Sequence, residues 1–148
     1  MELWRPYLHK HCSAVERVQR RFTKRVIGLY NLSYGDRLRA LKLPSLWWRF
    51  RRGALITTFK ILKFDYGGTT IKNNFKLTQN LYTRGHPWKL DRSHLNHTKT
   101  QNFFFNRIIP IWNELPTAVV SADSVNGFKN LLDHYIATNG DLKYFYIE

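Results

Sequence analysis

A single cysteine, Cys12, among 148 residues excludes a disulfide framework and favours a reducing compartment. Acids are scarce too, with ten Asp and Glu against 24 Lys and Arg and no Asp-Asp pair. A metal-dependent polymerase or nuclease gathers two or more carboxylates around Mg²⁺, so scattered acids argue against an autonomous enzyme of that kind. No apolar run approaches the roughly 18 residues that cross a bilayer. The N-terminus has no signal-peptide core, and Glu2 argues against a transit peptide. The expectation is an intracellular chain, nuclear or cytoplasmic, without a membrane partner. Also missing are a glycine-rich phosphate loop, a GxSxG elbow and the Cys/His spacing of a closed zinc site. His9, His11 and Cys12 form one loose group and His86, His94 and His97 another, but neither supplies four metal ligands. The residues therefore point to no catalytic site, no metal, no cofactor and no small-molecule substrate.

What the chain has is positive charge and apolar bulk. At 43% hydrophobic and 16% aromatic it is too apolar for a disordered tail. Its net charge of +14 is lopsided: residues 1–63 hold 15 Lys and Arg against three acids, and the remainder nine against seven. Such a balance points to polyanions, nucleic acid ahead of an anionic membrane, with a merely solvated basic face as the bland alternative.

The charge concentrates in AVERVQRRFTKRVIGL, residues 14–29. At helical spacing Val15, Val18, Phe22, Val26 and Leu29 share an arc of about 80°. Arg17, Arg20, Arg21, Lys24 and Arg25 fan across the other side. The spacing predicts a helix from Ala14 to about Ile27, opened by a Ser13–Glu16 capping box, with the apolar stripe buried and the basic face outward. If all five cations met phosphates, the log–log salt slope of binding would be about −4 to −5.

Further along, Ser33 and Asp36 open a short helix to about Lys42, stopped before Pro44. Ser45 caps LWWRFRRGALITTFKILKF, whose apolar residues cover most of the circumference and leave a narrow basic strip at Arg49, Arg52, Lys60 and Lys63. A helix this apolar is either central to a bundle or docked on a partner. Residues 67–100 read as a long irregular segment with room for a weak β-hairpin. A helix near 100–113, disturbed by Pro110, and a Ser124-capped helix bearing Val125, Phe128, Leu131, Leu132, Tyr135 and Ile136 complete the chain. The fold class is mainly α, a small helical assembly. It divides into a basic helical region (1–66), a polar linker (67–100) and a C-terminal helical region (101–148).

Two further contacts are candidates. In TRGH, Arg84 beside Gly85 could present guanidinium and backbone to a phosphate, with His86 and Lys89 nearby; a structural turn is the equal alternative. Phe103, Phe104 and Phe105 read as core rather than base platforms, leaving Arg107 as the charged residue there able to face a ligand.

In their order these pieces resemble the C-terminal, post-catalytic part of reverse transcriptases from non-LTR retrotransposons of the jockey-like LINE type. The blocks are LWRPYLHKH (3–11), ERVQRRFTKRVIGL, SYGDRLRALKLPSLWWRFRRGALITTFKIL, TRGHPWKL (83–90) and FFFNRIIPIWNELPTAVVSADSVNGFKNLLD (103–133). Trp47 and Ala54 depart from acidic positions usual in the family. The resemblance implies a thumb-like piece of an RNA-directed DNA polymerase, a fragment of a larger polyprotein. The Y-x-D-D site with its Mg²⁺, and the endonuclease, belong to residues absent here. The implied partners are RNA, an RNA/DNA hybrid or a DNA duplex, and the missing polymerase portion. The alternatives are a protein-interaction module that docks through the exposed apolar surface of the third helix, or a retroelement relic without function.

Overall fold

The computed structural model describes residues 9–78, 85–91 and 103–139. Among them it is mainly helical: α1 (His9–Lys24), α2 (Tyr34–Ala40), α3 (Leu46–Phe64), α4 (Thr69–Lys72), α5 (Phe104–Asn113), α6 (Thr117–Val120) and α7 (Val125–Asn139). No described residue lies in a sheet. The described residues fall into two compact units, with the boundary inside α3. One takes 9–52 and 136–139; the other takes 53–78, 85–91 and 103–135.

In the first unit, local caps set the helix ends. Ser33 accepts from the Asp36 amide at 3.2 Å, and its hydroxyl donates to the Asp36 carboxylate at 2.6 Å, fixing the start of α2. At the other end, Leu43 N–H bonds the Leu38 carbonyl and Lys42 N–H the Arg39 carbonyl, a complete Schellman closure. Lys42 occupies the left-handed position of that closure at φ +53°. Ser45 then opens α3, its Oγ accepting from the Trp48 amide at 3.2 Å. The apolar circumference of α3 is largely buried: Trp48, Leu55, Ile56, Phe59, Ile61 and Leu62 are all in the core. Its apolar surface is therefore not the exposed docking face anticipated from sequence.

α1 departs from expectation in both start and rotation. It begins at His9, so Ser13 lies inside it and there is no Ser13–Glu16 box; it ends at Lys24, before Ile27. Its buried residues are Glu16 and Thr23, with Gln19 half-buried between them. Val18 and Phe22, from the middle of the apolar stripe, are 69% and 70% exposed. The helix is turned about 90° from the orientation its hydrophobic periodicity predicts.

The second unit is organised around aromatic rings. Phe128 stacks on Phe59 with centroids 4.3 Å apart and on Trp112 at 6.0 Å. Phe75 meets Phe104 and Phe105 edge to face; the core reading holds for Phe104, while Phe105 is half-buried and Phe103 exposed. Ser124 caps α7 as expected, accepting from the Gly127 amide at 3.0 Å. The irregular middle carries short α4 and one antiparallel bridge, Leu77 to Leu90. Gly67 and Gly68, both at positive φ, make the turn out of α3 into α4, a pair of conformations that side-chain-bearing residues resist.

Candidate nucleic-acid interface

The rotation of α1 follows from what it packs against. Its neighbours in this unit are helix ends, which expose backbone groups that need polar partners. The Glu16 carboxylate accepts from the Leu46 amide at 3.1 Å and the Trp47 amide at 3.3 Å, both in the first turn of α3, and from the Tyr34 hydroxyl. With Ser45 on Trp48, three consecutive orphan donors of α3 are satisfied, and a carboxylate sits at the positive end of the helix dipole. Burial, then the Glu16 hydrogen bond, holds the Tyr34 phenol well above its ordinary range, so it remains a donor. Gln19 Nε2 donates to the Pro44 carbonyl at 3.0 Å.

Arg37, which sequence reading did not single out, locks the other end. Its buried guanidinium donates to Thr23 Oγ1 at 3.2 Å, the Leu32 carbonyl at 2.5 Å and the Arg20 carbonyl at 3.4 Å. A cation at the C-terminal end of α1 is favourable to its dipole. These bonds make Arg37 structural, a role that its place in a short charged helix does not announce.

With Glu16, Gln19 and Thr23 turned inward, Lys10, Arg17, Arg21 and Lys24 remain outward and exposed. At 100° per residue they fill an arc of about 60°, spread over about 21 Å of helix. Arg25, just past the helix end, is exposed as well. Arg20 is exposed but lies over the Tyr34 ring, 4.5 Å from its centroid. Of the α3 cations, Arg49 is exposed and Arg52 half-buried.

The TRGH block is arranged differently from a phosphate cradle. Arg84 lies outside the described residues. His86 is a correction: it is 2% exposed, with Nε2 against the Trp112 carbonyl at 3.1 Å and its ring edge-on to the Trp112 indole. The Trp112 indole N–H in turn donates to the Trp88 carbonyl, and Asn113 exchanges two 2.9 Å bonds with the Leu90 backbone. Segment 85–91 is thus stitched to the end of α5. Gly85 takes φ +119°, with the Lys89 side chain close over it. Lys89 and Arg107 are half-buried. Among the described residues of the first unit, the α1 cations Lys10, Arg17, Arg21 and Lys24 are the ones gathered on one arc of a helix.

His86 carries a prediction. Burial outweighs the opposing hydrogen bond to Trp112 and, helped by the nearby Lys89 charge, holds its imidazole below the ordinary value. A proton therefore prefers the unfolded chain, so the stabilisation is complete above pH about 6.5 and is lost as the pH falls from there through the lower folded-state value. Each tenfold difference in proton affinity between the two states is worth about 1.4 kcal/mol. Thermal melts at about pH 7.5 and about pH 5 should show a larger drop for wild type than for His86→Gln. Equal drops would contradict this account.

Among the described residues there is no cluster of three or more potential metal ligands, and no helix is long and apolar enough to cross a membrane. Comparison with protein-family models, with curated protein sequences and with solved structures gave no match.

Proposed function

We propose that this chain is a post-catalytic segment of a non-LTR retrotransposon reverse transcriptase that grips nucleic acid without reading its sequence. The support for the family is the order of the five sequence blocks. The support for the activity is one observation: four exposed cations share one arc of α1, on a helix fixed from the opposite side by Glu16, Gln19, Thr23 and Arg37. A rigid row of Lys and Arg neutralises phosphates and releases counterions, which gives affinity without specificity. On this reading the chemistry belongs to the polymerase portion of the parent element, with its own Mg²⁺, and this segment contributes hold. RNA, an RNA/DNA hybrid and DNA all offer the required backbone.

Fluorescence anisotropy across a salt series tests the proposal. Wild type should bind at about 50 mM salt with a log–log slope of about −3 to −5, and Arg17→Gln/Arg21→Gln/Lys24→Gln should reduce that slope by about 2 to 3. These side chains are exposed, so the variant should melt with wild type. No binding at low salt, or a triple variant with an unchanged slope, would overturn the proposal.

A further inference from the structure

From Ala54 to Leu62 every apolar residue of α3 is buried. The cations of that end of the helix, Lys60 and Lys63, stay half-buried. They stand one turn apart, with about 5 to 6 Å between their Cβ atoms. Each meets an aromatic ring brought in from outside the helix. Lys60 Nζ lies 5.3 Å from the centre of the Tyr66 ring, and Lys63 Nζ lies 4.8 Å from the centre of the Trp88 ring. Backbone bonds place both rings. The Tyr66 amide donates to the Lys60 carbonyl at 3.3 Å, folding the chain back over α3. The Trp88 carbonyl accepts from the Trp112 indole at 2.9 Å.

We propose that Lys60 and Lys63 form a second contact for a nucleic-acid backbone, in the second unit, with Tyr66 and Trp88 as the rings that position them. The place is separate from the α1 row, but the class of ligand rests on the reading above. An aromatic face attracts an ammonium group through its quadrupole and offers no strong hydrogen-bond acceptor. The three N–H donors of each lysine are therefore left for water or an anion. Among the described residues no carboxylate is paired with either lysine, and the acid nearest in sequence, Asp65, bonds Lys72 at 2.5 Å. Laying each stem against a ring also removes side-chain freedom before a ligand arrives, which lowers the cost of ordering it on binding. A phosphodiester backbone suits two such neighbouring points, because it carries successive charges along one strand.

The test is anisotropy of the full chain on a labelled DNA duplex of about 20 base pairs across a salt series, at a temperature where melting curves show every variant folded. Lys60→Gln/Lys63→Gln should lower the log–log slope by about 1 to 2 and weaken low-salt binding about tenfold. Lys42→Gln/Lys76→Gln removes the same charge from exposed positions elsewhere and should change the slope by less than about 0.5. Tyr66→Leu keeps both charges, so it should keep the slope and weaken binding about two- to threefold through lost pre-ordering. An unchanged slope for Lys60→Gln/Lys63→Gln, or an equal fall for the control pair, overturns this contact. The α1 proposal survives that result if Arg17→Gln/Arg21→Gln/Lys24→Gln still lowers the slope. The converse result, a fall for the lysine pair and none for the α1 triple, upholds this contact and overturns the α1 row. An unchanged affinity for Tyr66→Leu removes the positioning role of its ring. If wild type does not bind, both proposals fall.

Discussion

Glu16→Ala should cost about 3 to 5 kcal/mol of unfolding free energy, the sum expected when a buried charged acceptor leaves two backbone donors and one hydroxyl without their partner. The buried carboxylate is the common acceptor for Leu46, Trp47 and Tyr34. Its removal unseats α1 from α2 and uncaps α3 in one step. Glu16→Gln keeps one acceptor oxygen but points an amide donor at donors, and should lose roughly half as much. Urea denaturation of the two variants provides the measurement. Tyr34→Phe combined with Glu16→Ala should be clearly non-additive, because the two changes delete the same bond. A loss below about 0.5 kcal/mol for Glu16→Ala would place it among ordinary surface changes and remove the capping role.

Phe128→Ala should destabilise the second unit by about 3 to 5 kcal/mol, the usual range for deleting a buried ring. Phe128 is fully buried and stacks on both Phe59 and Trp112. Truncation therefore empties the middle of a three-ring stack, forfeiting pair energies of about 0.5 to 1.5 kcal/mol each beyond simple burial. Phe128→Leu should retain part of the volume and lose less. Near-UV circular dichroism offers a local readout, since Trp112 loses its ordered neighbour. An unchanged near-UV spectrum together with an unchanged urea midpoint would contradict the stack.

How much of this was legible in the sequence depended on the range of the interactions. The starts of α2, α3 and α7 were legible because Ser33, Ser45 and Ser124 cap within three residues. The apolar circumference of α3 was legible, but whether it would be buried in a bundle or docked on a partner was decided by the packing. The rotation of α1 was not. Its stripe of Val15, Val18, Phe22 and Val26 satisfies the rule that apolar faces turn inward. That rule assumes an apolar neighbour, whereas here the neighbours are helix ends, which select Glu16, Gln19 and Thr23. The same limit applied to His86. Its block read equally as a phosphate loop or a structural turn, and the residues that hold it in place, Trp112 and Asn113, lie more than twenty residues away. The basic row itself was readable: Arg17, Arg21 and Lys24 face outward as the helical wheel has them. Arg20, partly engaged by the Tyr34 ring, and buried Arg37 needed the tertiary contacts.

Glu16 has one more consequence, for the electrostatic field outside the helix. It is the only acid in α1, and the fold spends it on the inner face. The outer surface of α1 thus carries no intrinsic counter-charge. No exposed carboxylate on that helix folds back to neutralise Arg17 or Arg21, or competes with an approaching phosphate. Dissolved salt screens that attraction over a length of about 8 Å at physiological ionic strength.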